Sequence, residues 1–279
     1  MTEVLRYVAF TTDPAGGNPA GVVLDAGGLD DAAMQAIAAE VGYSETAFLT
    51  EPTGEARPIR YFSPKAEVPF CGHATVATAV ALAERIGPGE LVFSTQSGIV
   101  PVVVEEDGGV LRATLTSVEP YVEALSDISE ALDILGWRTE ELDPALPPYI
   151  AYGGARHLIV STSTRQRLAE LDYDFDRLLA YMLERDLTTL QLVWRESATT
   201  FRVRDPFPVG GVVEDPATGA AAAAFGAYLR ELGLVEPTAQ LTLYQGDDMG
   251  RPSEIGVELR AGDTRVRVSG SAVPINEPG

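Results

Sequence analysis

Short runs of alternating hydrophobic and polar residues, typical of β-strands, dominate the beginning of the chain. Among these runs, the segment 29–42 (LDDAAMQAIAAEVG) has Asp near its start, places Ala, Met and Ile on one face and ends at Gly42. This pattern predicts an amphipathic helix. The predicted strands of the region are LRYVAFTT (5–12), AGVVLDA (20–26), YSETAFLT (43–50) and IRYFSP (59–64).

Two later segments are helical in composition but apolar or small around nearly their whole circumference. They are residues 71–87 (CGHATVATAVALAERIG) and 218–233 (TGAAAAAFGAYLRELG). A helix that is hydrophobic all round is a buried helix. Each segment follows a predicted strand that ends in Pro, at Pro64 and Pro206, and each is followed by strand-like sequence.

The two apolar segments indicate an internal duplication. Aligning Gly72 with Gly219 gives an offset of 147 residues, and the same offset aligns Leu82 with Leu229. The upstream Arg-x-x-x-Pro sequences align at an offset of 142, which a five-residue insertion before the second helix reconciles. The alternative is that two Ala-rich helices resemble each other by composition alone, but the shared order of elements favours duplication. Residues 118–135 are the predicted crossover, running into a helix that begins the second half.

The composition adds a strongly acidic balance, with a formal net charge of −21 and a sequence pI of about 4.4. No cluster of Lys and Arg offsets this charge. This negative charge would repel the phosphate backbone of a nucleic acid, so we expect neither nucleic acid nor an anionic membrane as a partner. The simplest interpretation is a solvated acidic surface, which carries no information about the substrate.

The scarcity of cysteine and histidine excludes further classes of protein. Cys71 is the only cysteine, so an intramolecular disulfide is impossible. The two histidines, His73 and His157, are far apart and lack metal-ligand spacing, so we expect no zinc site. No apolar run approaches the roughly 18–20 residues that span a bilayer, and the N-terminal segment does not have the pattern of a signal peptide. We therefore expect a cytoplasmic protein.

Glu45, in the predicted strand YSETAFLT, is the first candidate for catalysis. Strand alternation places Glu45 on one face with three other residues: Tyr43, Ala47 and Leu49. Neither face of the strand is cleanly polar, so a carboxylate there would be partly desolvated, which suits it to act as an acid. The alternative is an edge-strand glutamate that points to water, and spacing alone does not decide between the two.

The start of each apolar helix carries further candidates. His73 follows Gly72 where the first helix begins, and the first-turn amides there suit a substrate carboxylate. The alternative role of His73 is that of a structural hydrogen-bonding group. In the second half, Asp215 precedes Thr218 at the helix start. Asp215 is either a helix cap or, with Thr218, faces Gly72 and His73 across a cleft between the two halves.

Two other chemistries fit the sequence less well. The glycine-rich segment 14–21 matches neither a Walker A nor a GxGxxG pattern, so nucleotide binding is not expected. No Gly-x-Ser-x-Gly sequence occurs, and Cys71 neighbours His73 on a side of the chain that does not suit simple pairing. Proton transfer by carboxylate and imidazole groups therefore fits better than nucleophilic catalysis.

Seven segments, in their order along the chain, resemble the phenazine-biosynthesis (PhzF-like) isomerase family. The resemblance covers nearly the whole chain, and the glutamate strand, the Gly-His helix start and the Asp-x-Ala-Thr-Gly helix start are specific in combination. The segments are AGGNPAGVV, YSETAF, IRYFSPKAEVPFCGHATVATAVAL, TQSGIVPV, ARHLIV, VVEDPATGAAAA and MGRPS.

The resemblance implies a diaminopimelate-epimerase-like fold, which is an α/β (α+β) architecture of two pseudo-symmetric domains. Each domain is a mixed β-barrel around a central buried helix, and the active site lies between the domains. The last strand, about residues 264–275, is expected to return to the first domain. The expected domains are 1–118 plus 264–279 and 119–263. A homodimer and the absence of any metal or organic cofactor are further implications.

The resemblance also assigns roles to residues. Glu45 is expected to move a proton between carbons of a small carboxylated substrate, with His73 and Asp215 assisting and orienting. Substrate contacts are expected from Asn18, Cys71, Gly72, Thr218, Gly219 and Ala220.

The chain departs from the family pattern at two positions. Ala220 replaces the usual Ser after Thr-Gly, which removes a hydroxyl that would contact the substrate. Arg204 replaces a usual Phe, which introduces a cation near the expected cleft. Losing a buried hydrogen bond typically costs about 1–3 kcal/mol, so these changes indicate a ligand other than the dihydro-3-hydroxyanthranilate of the phenazine enzyme.

The sequence thus predicts a PhzF-like isomerase of secondary metabolism with a small-molecule substrate. One alternative is an amino-acid epimerase or racemase that uses Cys71 with Glu45. Cys71 matches one catalytic cysteine of related epimerases, but the partner position near Pro216 is not a cysteine, so a two-cysteine racemase is excluded. The other alternative is a non-enzymatic binding protein on the same fold.

Overall fold

A computed structural model of the chain describes residues 2–52 and 54–275. Strands and helices follow each other in mixed order. The strands are β1 Leu5–Ala9, β2 Asn18–Val23, β3 Glu45–Leu49, β4 Arg57–Phe62, β5 Glu67–Val68, β6 Gly89–Thr95, β7 Gly98–Asp107, β8 Val110–Thr116, β9 Tyr121–Ala124, β10 Tyr149–Tyr152, β11 Arg156–Thr162, β12 Thr189–Arg195, β13 Thr200–Pro206, β14 Glu214–Asp215, β15 Ala239–Gln245, β16 Ser253–Leu259 and β17 Arg267–Pro274. The helices are α1 Asp31–Val41, α2 Gly72–Ile86, α3 Ser129–Leu135, α4 Arg165–Ala169, α5 Phe175–Glu184 and α6 Gly219–Glu231.

The chain divides into two compact units. Unit 1 consists of residues 1–118 and 267–279, and unit 2 consists of residues 119–266. Met1 and residues 276–279, which the sequence analysis assigned to the first domain, lie outside the described residues. In the described part of the chain, none of the helices is both long and apolar enough to cross a membrane.

Helix α1 confirms the amphipathic helix that the sequence predicted. The Asp30 side chain accepts a hydrogen bond of 2.8 Å from the backbone N–H of Ala33, which satisfies one first-turn donor. Gly42 ends the helix with φ of 73°, a left-handed conformation that glycine adopts without strain. Met34 and Ala38 form the buried face.

Eight strands of unit 1 form a closed barrel. Following the hydrogen bonds, the strand order is β1-β2-β3-β4-β6-β7-β8-β17 and back to β1. The pairs β2–β3 and β4–β6 are parallel and the others are antiparallel. Strand β17, the last one among the described residues, closes the ring between β8 and β1.

Helix α2 runs through this barrel. It contacts β1, β2, β3, β7, β8 and β17, and its residues from Gly72 to Ala83 are all buried. The apolar and small side chains around the whole helix explain this position, because the helix has no polar face that would favour exposure to solvent. The buried hydroxyls of Tyr61 and Thr75, 2.6 Å apart, tie β4 to the helix.

Unit 2 repeats this plan with a curved sheet of order β9-β10-β11-β12-β13-β15-β16. Helix α6 contacts β9 and β16 at the two ends of this order as well as β10 and β11, so the sheet wraps around the helix. The backbone at Gly153 lies so close to helix α6 that an added Cβ would be 2.6 Å from the backbone nitrogen of Ala224. The short helices α4 and α5 follow β11, and α4 packs against β11, β12 and β13.

The two units share one topology, as the duplication predicted. In unit 1, β4 is followed by the short strand β5, the buried helix α2 and β6, which pairs in parallel with β4. In unit 2, β13 is followed in the same way by β14, α6 and β15, which pairs in parallel with β13. The mixed architecture of sheets around central helices is thus confirmed. The prediction for 118–135 was incomplete, because strand β9 precedes helix α3 there.

Candidate active site

Glu45 is the first residue of β3, where it lies beside Ala20 of the parallel strand β2. Its side chain is 12% exposed, so it is largely withdrawn from water while one part stays accessible. This position decides between the two interpretations of the sequence, because an edge-strand glutamate pointing to water would be far more exposed. Glu45 Oε2 faces the start of α2.

His73 occupies the first turn of α2 and is buried. Its Nε2 lies 3.4 Å from Glu45 Oε2, and its Nδ1 lies 3.1 Å from the side-chain amide nitrogen of Asn18. The Ser44 hydroxyl is a further neighbour, 3.4 Å from Nε2. Burial lowers the pKa of His73 below its ordinary value, against the smaller opposing effects of the Glu45 charge and a hydrogen bond to the backbone of Pro19.

Cys71 directly precedes α2 and joins the same group. Its Sγ lies 3.3 Å from His73 Nδ1 and 3.7 Å from Glu45 Oε2. The expectation that Cys71 lies on a side of the chain that does not suit simple pairing with His73 is therefore wrong. Cys71 has extended backbone angles (φ −144°, ψ 115°) where the helix begins, so its side chain can turn back over the imidazole two residues later. A carboxylate, an imidazole and a thiol thus form one cluster in unit 1.

The beginning of α2 has no side-chain cap, since Cys71 makes no capping hydrogen bond. The first-turn amides of an α-helix have no partners within the helix, and here they lie, with the positive end of the helix dipole, beside the cluster of Glu45, Cys71 and His73. Such a combination can hold an anionic group while a neighbouring carboxylate or imidazole moves a proton.

In unit 2 the segment before α6 is tied together by hydrogen bonds. The Thr218 hydroxyl donates to Asp215 Oδ2 at 2.6 Å. The Gln245 side chain, from β15, donates to the Asp215 carbonyl at 2.8 Å and accepts from the Thr218 backbone N–H at 3.0 Å. Thr218 occupies the N-cap position of α6 and makes no side-chain capping hydrogen bond, so the alternative that Asp215 is a simple helix cap is not supported.

Asp205 is a buried carboxyl group that the sequence analysis missed. It lies opposite Asp215 in the β13–β14 pairing and is fully buried. Neither of its oxygens has a hydrogen-bond partner among the described residues. Burial raises its pKa well above the ordinary value, and the negative charges of Asp215 and Glu214 add to this effect. The nearby Thr218 side chain opposes this rise in the Asp205 pKa. The hydroxyl hydrogen of Thr218 is nevertheless donated to Asp215 Oδ2. Burial therefore favours the protonated, neutral form of the Asp205 carboxyl group.

Arg204, expected to bring a cation near the cleft, is neutralised within unit 2. Its Nε and Nη2 donate to the two carboxylate oxygens of Glu214 at 2.9 and 2.6 Å. Its Nη1 donates to the carbonyl of Ala169 at 2.8 Å. Both charged side chains are nearly buried, so this arginine serves the packing of unit 2 and offers no free charge.

The predicted site residues thus fall into two local groups. Unit 1 brings together the amide, carboxylate, thiol and imidazole groups at the start of α2: Asn18, Glu45, Cys71, Gly72 and His73. Unit 2 brings together the residues around the start of α6: Asp215, Thr218, Gly219 and Ala220. Gln245 and Ser44 are neighbours that no sequence pattern had indicated, because each is recognisable only through its hydrogen bonds.

The chain is similar to known proteins over nearly its whole length. The family model of phenazine biosynthesis-like proteins (PhzC-PhzF) matches residues 7–278. A trans-2,3-dihydro-3-hydroxyanthranilate isomerase of Pseudomonas chlororaphis is 35% identical over 271 residues, which cover 95% of this chain and 94% of that protein. An uncharacterized isomerase of Bacillus subtilis is 32% identical over 282 residues, covering 97% and 96% of the two chains.

A solved structure supports the same assignment. The Bacillus anthracis phenazine biosynthesis protein of the PhzF family superposes with a TM-score of 0.89 and 26% identity, over 99% of this chain and 97% of that one. The resemblance inferred from the seven sequence segments is thereby confirmed. The chain belongs to the phenazine biosynthesis-like (PhzC-PhzF) family and is an isomerase.

Proposed function

We propose that this isomerase moves a proton between two carbons of a small carboxylated substrate, and that Glu45 is the group that carries the proton. The observation that carries the proposal is the position of Glu45, largely buried and 3.4 Å from His73 Nε2. A carboxylate withdrawn from water beside a fixed imidazole is suited to accept a proton from one atom and return it to another.

His73 is proposed to orient this carboxylate. Asn18 lies at Nδ1 of the imidazole and Glu45 at Nε2, and the backbone of Pro19 makes a further hydrogen bond to the ring. A ring held in this way keeps the carboxylate in one position through the reaction, which lowers the cost of reorganisation during proton transfer. The uncapped first-turn amides of α2, at Gly72 and the following residues, are proposed to bind the substrate carboxylate.

The residues of unit 2 complete the proposal. Asp215 is proposed as a second acid/base group, on the strength of the family resemblance and of the hydrogen bonds from Thr218 and Gln245 that fix its local structure. Gly219 and Ala220, in the first turn of α6, are proposed to contact substrate. Because Ala220 lacks the hydroxyl that the family pattern has there, we propose a substrate related to, but different from, trans-2,3-dihydro-3-hydroxyanthranilate.

A second candidate is an epimerase-like reaction that uses Cys71. Its support is the position of the Cys71 thiol, 3.7 Å from Glu45 Oε2 and 3.3 Å from His73 Nδ1, which suits proton exchange between these groups. In this version the thiol, not the carboxylate, exchanges the substrate proton. Homodimer formation, a cytoplasmic location and a place in secondary metabolism stay predictions from the family and the sequence.

Deuterium exchange in D₂O tests the proposal. The purified protein is incubated with trans-2,3-dihydro-3-hydroxyanthranilate and with a panel of small unsaturated carboxylates, and incorporation at carbon is followed by NMR. We expect the wild-type chain to exchange at least one of them and Glu45→Gln to lose at least about a hundredfold in rate, the usual contribution of a positioned acid/base group. Glu40→Gln, on the exposed face of α1, is the matched control and should keep the wild-type rate. Deuterium exchange at the wild-type rate in Glu45→Gln would contradict the proposal.

A further inference from the structure

We propose that Asp205 is a positioning residue for Asp215: its protonated carboxyl group donates a hydrogen bond to the Thr218 hydroxyl, which in turn donates to Asp215. All three residues belong to unit 2. The existence of this hydrogen-bond chain does not depend on the proposed function. Its consequence, that Asp215 enters the reaction ionised and accepts a proton, does rest on that function.

The side chain of Gln245 fixes the direction of the hydrogen bonds. Its Oε1 accepts from the Thr218 backbone N–H at 3.0 Å, and its Nε2 lies 2.8 Å from the Asp215 carbonyl and 3.0 Å from Thr218 Oγ1. An amide nitrogen can only donate, so the Thr218 hydroxyl accepts from Gln245 and directs its single hydrogen elsewhere. That hydrogen is donated to Asp215 Oδ2, 2.6 Å away.

The length of this last hydrogen bond indicates that Asp215 is ionised. A hydroxyl that donates to a carboxylate makes a bond of about 2.5–2.7 Å, shorter than a bond between neutral groups. The separation of Thr218 Oγ1 and Asp215 Oδ2 falls in that range. A hydroxyl oxygen has two lone pairs, and Gln245 uses one of them. Thr218 Oγ1 can therefore accept one further hydrogen, but it has none left to give.

Asp205 is placed to supply that further hydrogen. It lies opposite Asp215 in the β13–β14 pairing, is fully buried, and is near enough to the Thr218 side chain to interact with it. Neither oxygen of Asp205 accepts a hydrogen bond from the described residues, as expected if the hydrogen of Thr218 is already donated to Asp215. A buried carboxylate that faces a lone pair would be repelled, whereas a protonated carboxyl group can donate to it.

The charges around Asp205 favour the same protonation state. Burial raises the pKa of Asp205, and the negative charges of Asp215 and Glu214, both in β14, add to this rise. Arg204, the neighbour of Asp205 in β13, donates to both carboxylate oxygens of Glu214, so its positive charge is balanced there. Of the two aspartates, Asp205 therefore carries the proton and Asp215 the negative charge.

Infrared spectroscopy of the full chain tests the protonation of Asp205 without any substrate. Ordinary aspartates and glutamates are ionised at pH 7, so a carboxylic-acid C=O stretching band at that pH reports an unusually protonated group. We expect the wild-type chain to show such a band, shifted to lower frequency in D₂O, and Asp205→Asn to lack it. Asp172→Asn, at an exposed position of the same unit, is the matched control and should keep the band. Absence of the band in the wild type, or its persistence in Asp205→Asn, would overturn the proposal.

Variants of Thr218 test which group accepts the hydrogen of Asp205. Thr218→Ser keeps the hydroxyl and should leave the frequency of the band unchanged. Thr218→Val has a similar shape without the hydroxyl, so the Asp205 carboxyl group loses its acceptor and the band should move to higher frequency. An unchanged frequency in Thr218→Val would contradict the donation to Thr218. Circular dichroism establishes that each variant is folded, and Asp205→Ala replaces Asp205→Asn if the latter is not.

Deuterium exchange separates this proposal from the proposed function. With a substrate that the wild-type chain exchanges, Asp205→Asn keeps a donor for the Thr218 hydroxyl and should stay within about threefold of the wild-type rate, whereas Asp205→Leu lacks one and should lose about fivefold or more, the usual net contribution of one hydrogen bond. Equal rates in Asp205→Asn and Asp205→Leu would contradict the positioning role.

The two measurements can also fail independently. If no substrate is exchanged but the infrared band behaves as expected, the hydrogen-bond chain stands and the proposed function does not. If exchange occurs but the wild-type chain has no carboxylic-acid band at pH 7, the proposed function stands and the hydrogen-bond chain does not.

Discussion

The buried ion pair between Arg204 and Glu214 gives a sharp test of what stabilises unit 2. Replacing Glu214 by Gln removes the negative charge and leaves the guanidinium largely withdrawn from water, since the two side chains are 10% and 4% exposed. Breaking a buried pair from one side typically costs about 3–5 kcal/mol. Arg204 keeps its hydrogen bond to the Ala169 carbonyl, so we expect a loss near the lower end, about 3 kcal/mol.

The chain offers a matched control and a local reporter for this measurement. Arg156 and Glu123 form an ion pair in the same unit at 3.2 Å, but Glu123 is 48% exposed, so Glu123→Gln should cost less than about 1 kcal/mol. The only two tryptophans, Trp137 and Trp194, both belong to unit 2. Their fluorescence during urea unfolding therefore reports the free energy of unfolding of this unit.

A double variant separates the charge from the contacts. Arg204→Met combined with Glu214→Gln leaves no uncompensated buried charge, so it should be more stable than Glu214→Gln alone by about 1 kcal/mol or more. Equal losses in Glu214→Gln and Glu123→Gln would refute the reasoning, because burial would then make no difference. A double variant less stable than the single one would refute it as well.

Two further predictions concern other buried positions. Burial raises the pKa of Asp205, so the folded chain binds this proton more tightly than the unfolded chain, and the contribution of Asp205 to stability falls as the pH rises above about 4. Asp205→Asn should therefore gain stability relative to wild type as the pH rises above about 4 in urea unfolding, and a constant difference would contradict this. Gly153→Ala should cost about 1–3 kcal/mol in thermal unfolding, because the added Cβ would meet the backbone of α6. Gly28→Ala, which meets nothing within 4 Å, should be nearly neutral, and equal effects would count against the argument.

The helices show how much of the fold could be predicted from the sequence. Residues 71–87 and 218–233 are apolar around their whole circumference, which is sufficient to predict that α2 and α6 are buried. Strand β9 was missed because its four residues are mostly exposed and have no alternating pattern. Which strands pair could not be read from the chain either, because the parallel pairs join segments far apart in sequence.

The candidate site shows the same limit. The types and positions of Glu45, His73 and Asp215 could be recognised from the residues that resemble the family. The pairing of Cys71 with His73 could not, since it depends on the backbone angles at the start of α2. Asp205 lies in an ordinary strand pattern, and what distinguishes it is its burial with no hydrogen-bond partner among the residues that the structure describes.

The central claim is tested most directly by measuring how fast deuterium is incorporated into the substrate by Glu45→Gln and by Cys71→Ser. With any substrate that the wild-type chain exchanges in D₂O, we expect Cys71→Ser to retain incorporation at the recipient carbon and Glu45→Gln to lose it, by at least about a hundredfold. The reverse outcome, with exchange abolished in Cys71→Ser and retained in Glu45→Gln, would contradict the account and favour the epimerase-like reaction of the thiol.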